Sequence, residues 1–230
     1  MSDMAIHITS QTKSAVMRPA SKDELRYIIE QELDCQGPDV DLNFIDTSLI
    51  TDMSYLFEGL FIANIKIDEW DTSNVEDMSG MFEDCYNFTG TGLGKWDVSN
   101  VYNMSHMFEG AISFVGTGIE KWDTSNVVHM SWMFCGATLY NGNLSTWNTK
   151  NVVSMFRMFN DARSFCGDGI ENWNVANVTD MRHMFEGATV FNRNLPNWDI
   201  SNVKRMDGIF DNTKLDVYTV FYKQIPTMPY

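Results

Sequence analysis

The sequence contains little that points to disulfide, zinc-finger or nucleophile chemistry. Its four cysteines, Cys35, Cys85, Cys135 and Cys166, form no Cys-x-x-Cys pair, and none has a histidine at zinc-finger spacing. The pattern indicates individual thiols, which fit a reducing compartment. No residue lies in a recognised nucleophile motif, and no Gly-x-Gly segment is followed by the residues of a phosphate-binding loop. The sequence therefore predicts no enzyme, no cofactor and no bound metal.

Basic residues and long apolar runs are also scarce. Lys and Arg number 16 against 31 Asp and Glu, which gives a net charge of −15. Such a chain repels nucleic-acid phosphates and anionic lipid headgroups. No stretch approaches the ~20 apolar residues of a membrane span, and the first 20 residues lack the apolar run of a signal peptide. We expect no nucleic-acid partner, no direct membrane insertion and, on this evidence alone, a cytoplasmic location.

A repeated segment dominates what is present. The pattern Trp-Asp-x-Ser-Asn-Val-x-x-Met-x-x-Met-Phe recurs with variations in seven copies, numbered 1 to 7, which begin at Ile45, Trp70, Trp96, Trp122, Trp147, Trp173 and Trp198. The period is 25 or 26 residues. A repeat of this length predicts units that stack, because one unit cannot bury its own apolar face.

Each copy begins with a segment that is typical of a strand. In copy 3, Leu93 precedes Trp96 by three residues and Val98 follows it by two. Leu-x-x-Trp-x-Val matches the first part of the strand signature of leucine-rich repeats. This segment predicts one short strand for each copy.

The second segment of each copy is typical of a helix. In copy 3 the apolar residues Val101, Met104, Met107 and Phe108 follow one another at helical spacing, and Ser99 stands where a helix N-cap would. The Met and Phe of all copies are expected to fill the core, rather than to form a methionine box for metal.

These elements predict an α/β fold: a right-handed leucine-rich-repeat-like solenoid of seven repeats, with parallel strands on one face and short helices on the other. Ser21 and Glu24 form a capping box that predicts a helix from Ser21 to Gln36. The predicted organisation is an N-terminal extension (1–20), a helical N-terminal cap (21–41), the solenoid (42–213) and a C-terminal cap or tail (214–230).

Two polar rows accompany the repeat. The residue after each Trp is Asp or Asn, which we expect to cap a helix rather than to bind calcium. An asparagine four residues after Trp is expected to tie neighbouring copies together through backbone hydrogen bonds. Its members are Asn74, Asn100, Asn126, Asn151, Asn177 and Asn202.

The repeat unit closely resembles the roughly 26-residue repeat of BspA-like leucine-rich-repeat proteins, from about Ser21 to Phe210. That repeat is common in bacterial surface proteins and lipoproteins, including those of mycoplasmas. The resemblance implies surface display or secretion, adhesion and host-protein binding rather than catalysis.

Candidate binding residues occupy positions that the repeat leaves free. In copies 3 to 7 these carry aromatic and basic residues, types that are enriched at protein interfaces. We name this set the aromatic–basic patch and expect it on the outer helices: Tyr102, His106, His129, Trp132, Phe156, Arg157, Arg182, His183, Lys204 and Arg205. The alternative is that these side chains pack on one another as ordinary surface residues. A zinc site formed by His106, His129 and His183 is a weaker hypothesis.

Two functions remain open at this point. The first is a non-enzymatic scaffold that binds a protein partner, like the adhesive surface proteins that the repeat resembles. The second is an intracellular inhibitor or immunity-like protein that neutralises a basic partner by its negative charge.

Overall fold

The computed structural model describes residues 16–221. Helix α1 spans Lys22–Gln36 and helix α2 spans Val217–Phe221, with short 3-10 helices at Leu93–Lys95, Ile119–Lys121 and Ile170–Asn172. Within these residues there is no β-strand; neighbouring copies are joined by isolated parallel bridges. No helix in the described range is long and apolar enough to cross a membrane.

The predicted fold class is therefore wrong. No copy contains the strand or the α-helix that an α/β, right-handed leucine-rich-repeat-like solenoid of seven repeats requires, so the leucine-rich-repeat description fails as well. The copies are built from successive turns. The bridging residue of each copy pairs with its equivalent in the next copy, but a single bridged residue is too short to be a strand.

The predicted strand segment is a turn because of its three-residue spacing. The backbone N–H of Trp96 donates to the carbonyl of Leu93 (3.2 Å), and both side chains are buried. Residues three apart would point to opposite faces of a strand, whereas a turn brings them to the same side.

The predicted helix segment fails because its N–H groups bond to the next copy. In copy 2 the N–H of Met81 closes a turn on Met78 (3.3 Å), whereas those of Gly80 and Phe82 donate to Ser105 and Met107 of copy 3 (2.8 and 2.9 Å). An α-helix needs each N–H for the carbonyl four residues earlier. Apolar residues at helical spacing are thus brought to one side of the copy by successive turns and not by a helix.

Two positions in each copy have left-handed backbone, which also breaks a helix. The first position lies ten residues after each copy begins. We name these residues the left-handed row: Tyr55, Gly80, His106, Trp132, Arg157, His183 and Gly208, with φ between 54° and 66°. Four residues later is a second row: Gly59, Asp84, Gly110, Gly136, Asp161, Gly187 and Asn212. The second row holds only Gly, Asp and Asn, the residues that accept this conformation at least cost.

The core consists of columns of equivalent side chains. The rings of Trp70 and Trp96 stack 6.3 Å apart at 2°, and those of Phe57 and Phe82 stack 5.2 Å apart at 7°. The methionines of both apolar rows are buried, apart from the partly buried Met206. The expectation that Met fills the core is confirmed.

Polar atoms tie each copy to the one before it. Every repeat tryptophan donates its indole N–H to the carbonyl of the aliphatic residue in the preceding copy, at 2.8 to 3.0 Å. The asparagine row donates its amides to backbone carbonyls of the preceding copy at 2.6 to 3.0 Å, which confirms the predicted ties. The Asp or Asn that follows each Trp was expected to cap a helix, but it closes a local turn instead. In copy 3, Asp97 accepts from the N–H of Ser99 (3.0 Å), and no helix follows.

The two α-helices lie at the ends of the described chain. Ser21 caps α1 by accepting from the N–H of Glu24. At the other end, the ring of Phe221 in α2 stacks on Trp198 (6.4 Å) and Phe210 (6.0 Å). The predicted boundaries at 1–20, 21–41, 42–213 and 214–230 stay predictions, and residues 1–15 and 222–230 lie outside the described range.

We expect Trp122→Phe to lower the free energy of unfolding by about 1–2 kcal/mol, because it removes a buried indole hydrogen bond and leaves the carbonyl of Leu93 with only the backbone N–H of Trp96 as donor. Tyr140→Phe is the control: its buried hydroxyl has no hydrogen-bond partner among residues 16–221, so its removal should not destabilise the protein. Urea unfolding measures both. Equal losses would contradict the importance of the indole bond.

Gly136 tests the left-handed backbone separately from packing. A Cβ at this position would meet nothing closer than 3.6 Å, so Gly136→Ala should cost about 1–2 kcal/mol through conformation alone. Gly136→Asn should cost less, since Asn212 occupies the equivalent place in copy 7 with φ 58°. A lower melting temperature for Gly136→Asn than for Gly136→Ala would refute this account.

Candidate protein-binding site

The structure places the aromatic–basic patch on turns, not on the outer helices that the sequence predicted. Four of its members belong to the left-handed row, and Phe156 and Arg182 each precede a member of that row. The other four members lie on the bridging row or just before it. All ten therefore come from the same part of their copies.

Trp132 lies at the centre of a stack formed by members of this patch. The ring of His106 is parallel to it (5.8 Å, 13°), and the guanidinium of Arg157 lies 4.6 Å from its centroid. Phe156 meets Trp132 edge-on at 5.4 Å. Three neighbouring copies thus contribute to one cluster of rings and charge.

The stack continues through Phe156. The ring of His183 meets it edge-on at 6.3 Å, and the guanidinium of Arg182 lies 4.8 Å from its centroid. We name these six residues the stacked cluster: His106, Trp132, Phe156, Arg157, Arg182 and His183. All six are partly exposed, so they pack on one another and still reach solvent.

The other four predicted residues lie outside the stacked cluster. Tyr102 is 45% exposed and reaches Asp77 at 3.5 Å. His129, Lys204 and Arg205 are exposed. Within residues 16–221, none of the four has a ring or cation–π contact with the cluster.

The cations of the stacked cluster differ in how they are neutralised. Arg182 donates twice to Asp180, at 3.0 and 2.8 Å, and Arg205 approaches the same carboxylate at 3.0 Å. Arg157 forms no ion pair with any described residue, and its shielded Nε has no acceptor. The guanidinium of Arg157 is thus without an ion pair in the described range, although the chain has 31 acidic and only 16 basic residues.

Histidines lie at both ends of the stacked cluster. The Nδ1 of His106 hydrogen-bonds Glu109 (2.6 Å), and this bond raises the pKa of His106 despite partial burial. The Nδ1 of His183 lies 3.0 Å from Glu186, but the two are not aligned for a hydrogen bond.

A carboxylate cluster beside His106 was not predicted from the sequence. One ligand atom each from Glu83, His106 and Glu109 lies within 4.8 Å of the other two. The Oε2 of Glu83 is shielded and has no hydrogen-bond partner in the part of the chain that the structure describes. Burial together with the charge of Glu109 raises the pKa of Glu83. The available signal was glutamate at the same place in consecutive copies. The weaker hypothesis of a zinc site formed by His106, His129 and His183 is not met in the described chain, where His129 and His183 join no such cluster.

Asp180 holds the arginines of the patch by charge. Burial raises the pKa of its carboxyl, but hydrogen bonds from Arg182 and the charges of Arg182 and Arg205 outweigh it, so the pKa is below the usual 3.8. We expect Asp180→Asn to cost about 1–3 kcal/mol at neutral pH. A depressed pKa stabilises the fold above the unfolded value and loses effect as pH falls through the folded value.

The difference in free energy of unfolding between wild type and Asp180→Asn, measured with urea, should therefore become smaller below about pH 4. Asp161→Asn is the control, because its pair with Arg163 is long (3.5 Å) and exposed and should contribute less than about 1 kcal/mol. A gap for Asp180→Asn that is independent of pH would argue against a charge effect.

Comparison with known proteins identifies a family. A family described as "Mycoplasma protein of unknown function, DUF285" matches the chain at residues 30–117 and again at 112–219. Searches of curated proteins and of solved structures returned no match. Since the two matches together cover most of the 230 residues, the chain belongs to the DUF285 family.

Proposed function

We propose that this protein is a non-enzymatic scaffold that binds another protein through the stacked cluster. The family description assigns no activity, so the proposal depends on the chemistry of the surface. Adhesion, which the BspA-like resemblance implies, is one setting for such binding and stays a prediction.

The left-handed row carries the proposal. His106, Trp132, Arg157 and His183 have φ between 54° and 63°, where a bulky residue costs roughly 1–2 kcal/mol. Gly80 and its equivalent in copy 7 show that the repeat accommodates glycine at this position. Strained residues that the fold does not require are typical of functional sites.

The chemistry of the cluster indicates what a partner would offer. Partly exposed aromatic rings next to arginine are among the side chains that most often anchor a protein interface. Arg157 has no anionic partner among the described residues, so a carboxylate from a binding partner would pair with its guanidinium. We infer a partner surface on which an acidic side chain stands beside apolar ones.

The net charge of −15 supports a second candidate, an inhibitor of a basic protein. Such a partner would bind the acidic side chains and would be repelled by Arg157 and Arg182. Its binding would weaken steeply with salt and would not depend on the aromatic rings. The same variants therefore distinguish the two functions.

The test replaces cluster residues by those that other copies use at the same places. Trp132→Gly and Arg157→Gly copy Gly80, and Phe156→Ser copies the serine found there in copies 1 to 4. Proteins captured from native and host lysates by the immobilised wild-type chain would be purified and their affinities measured. Each variant should weaken binding about 30-fold, as loss of a hot spot of ~2 kcal/mol does.

Leu139→Ser and Val190→Ser are the controls, because these apolar residues are 56% and 50% exposed and lie outside the stacked cluster. They should leave the affinity unchanged, and thermal unfolding should show that all variants remain folded. Binding that survives in folded Trp132→Gly, Phe156→Ser and Arg157→Gly proteins would refute the proposal.

A further inference from the structure

We propose that Glu83, His106 and Glu109 form a binding site for a divalent transition-metal ion, of which zinc is the representative. Glu83 comes from copy 2 and the other two residues from copy 3. The site therefore exists only where two copies meet. The site shares His106 with the stacked cluster, but it rests on its own three ligands and does not depend on the proposed protein binding.

The geometry is close to that of a three-residue zinc site. One atom from each residue lies within 4.8 Å of the other two. A tetrahedral zinc ion with bonds of 2.0–2.1 Å holds its ligand atoms roughly 3.3 Å apart, so modest side-chain rotations suffice. Three protein ligands leave the fourth position for water.

The repeat provides an internal comparison for this arrangement. In copy 6, His183 and Glu186 are the equivalents of His106 and Glu109, and Asn160 of copy 5 replaces Glu83. There the amide of Asn160 donates to Glu186 at 2.9 Å, so the acidic group is satisfied.

The copy 2–copy 3 junction lacks that donor. A second carboxylate stands in the place of the amide, and the Oε2 of Glu83 is shielded from solvent without a hydrogen-bond partner. Two carboxylates this close repel each other, and a proton or a bound cation relieves the repulsion. A metal ion supplies the positive charge and uses the unpartnered oxygen as a ligand.

The donor set selects the class of ion. One imidazole nitrogen with carboxylate oxygens suits zinc and related transition metals, whereas calcium takes six to eight oxygens. The parallel contact with Trp132 restrains the ring of His106 at 5.8 Å. Binding would replace the hydrogen between His106 and Glu109 and release a proton.

The experiment titrates the full chain, without an affinity tag, with Zn²⁺ by calorimetry and with Co²⁺ by visible absorption. We expect one tight equivalent and a Co²⁺ band of low coordination number. Glu83→Asn, which copies the natural residue of copy 5, should weaken this equivalent by at least about 100-fold while the protein stays folded, because loss of a direct ligand costs more than the ~10–100-fold lost with an outer-shell partner. Equal affinity in wild type and Glu83→Asn would overturn the proposal.

A second variant tests the same geometry by gain of a site. Asn160→Glu places a carboxylate beside His183 and Glu186 and should add a second equivalent of Zn²⁺ with a matching Co²⁺ band. Adding His183→Gln should remove that second equivalent only. No added equivalent in a folded Asn160→Glu protein would show that two glutamates and a histidine in this register do not hold the ion.

Discussion

The whole structure depends on backbone hydrogen bonds that run from one copy to the next. Alternate N–H groups in the turn segment donate to the following copy, as Gly80 does to Ser105 and Phe82 to Met107. The indole and asparagine ties repeat at the same interval. Because every second backbone N–H in this segment finds its acceptor only in the next copy, a copy is complete only between two others. The nearly constant period follows from this, since each kind of tie joins the same two positions in successive copies.

This construction separates stability from recognition. The buried Met, Phe and Trp columns and the polar ties require particular residues in each copy, whereas the left-handed row requires only a backbone conformation. In copy 2 that requirement is met by Gly80, and in copies 3 to 5 it is met at some cost by His106, Trp132 and Arg157. These three lie in consecutive copies and form ring and cation contacts with one another, whereas the bulky Tyr55 of copy 1 is separated from them by Gly80. The surface on which we base the proposed function is thus built on a backbone that does not need it.

The sequence predicted the parts of the fold that depend on side-chain identity, and it failed for those that depend on backbone conformation. Met104 and Phe108 were expected in the core and are buried, and Asn126 was expected to tie copies together and does. The strand and helix were wrong because spacings of three and four residues suit successive turns as well as a helix. The left-handed backbone at Trp132 could not be predicted from the sequence, since bulky residues rarely adopt this conformation. The cluster around Glu83 was not predicted, because its other two members, His106 and Glu109, belong to another copy.

The direction of the indole bond gives the two ends of the repeat array different requirements. Each tryptophan binds a carbonyl of the preceding copy, so copy 1 carries Ile45 where the others carry Trp, and bridges to Met17 instead. At the far end, Trp198 is covered by Phe221 from α2. Whole copies inserted between these ends would find every partner they need on both sides. Such an array can lengthen or shorten during evolution in steps of one copy, with its terminal segments unchanged.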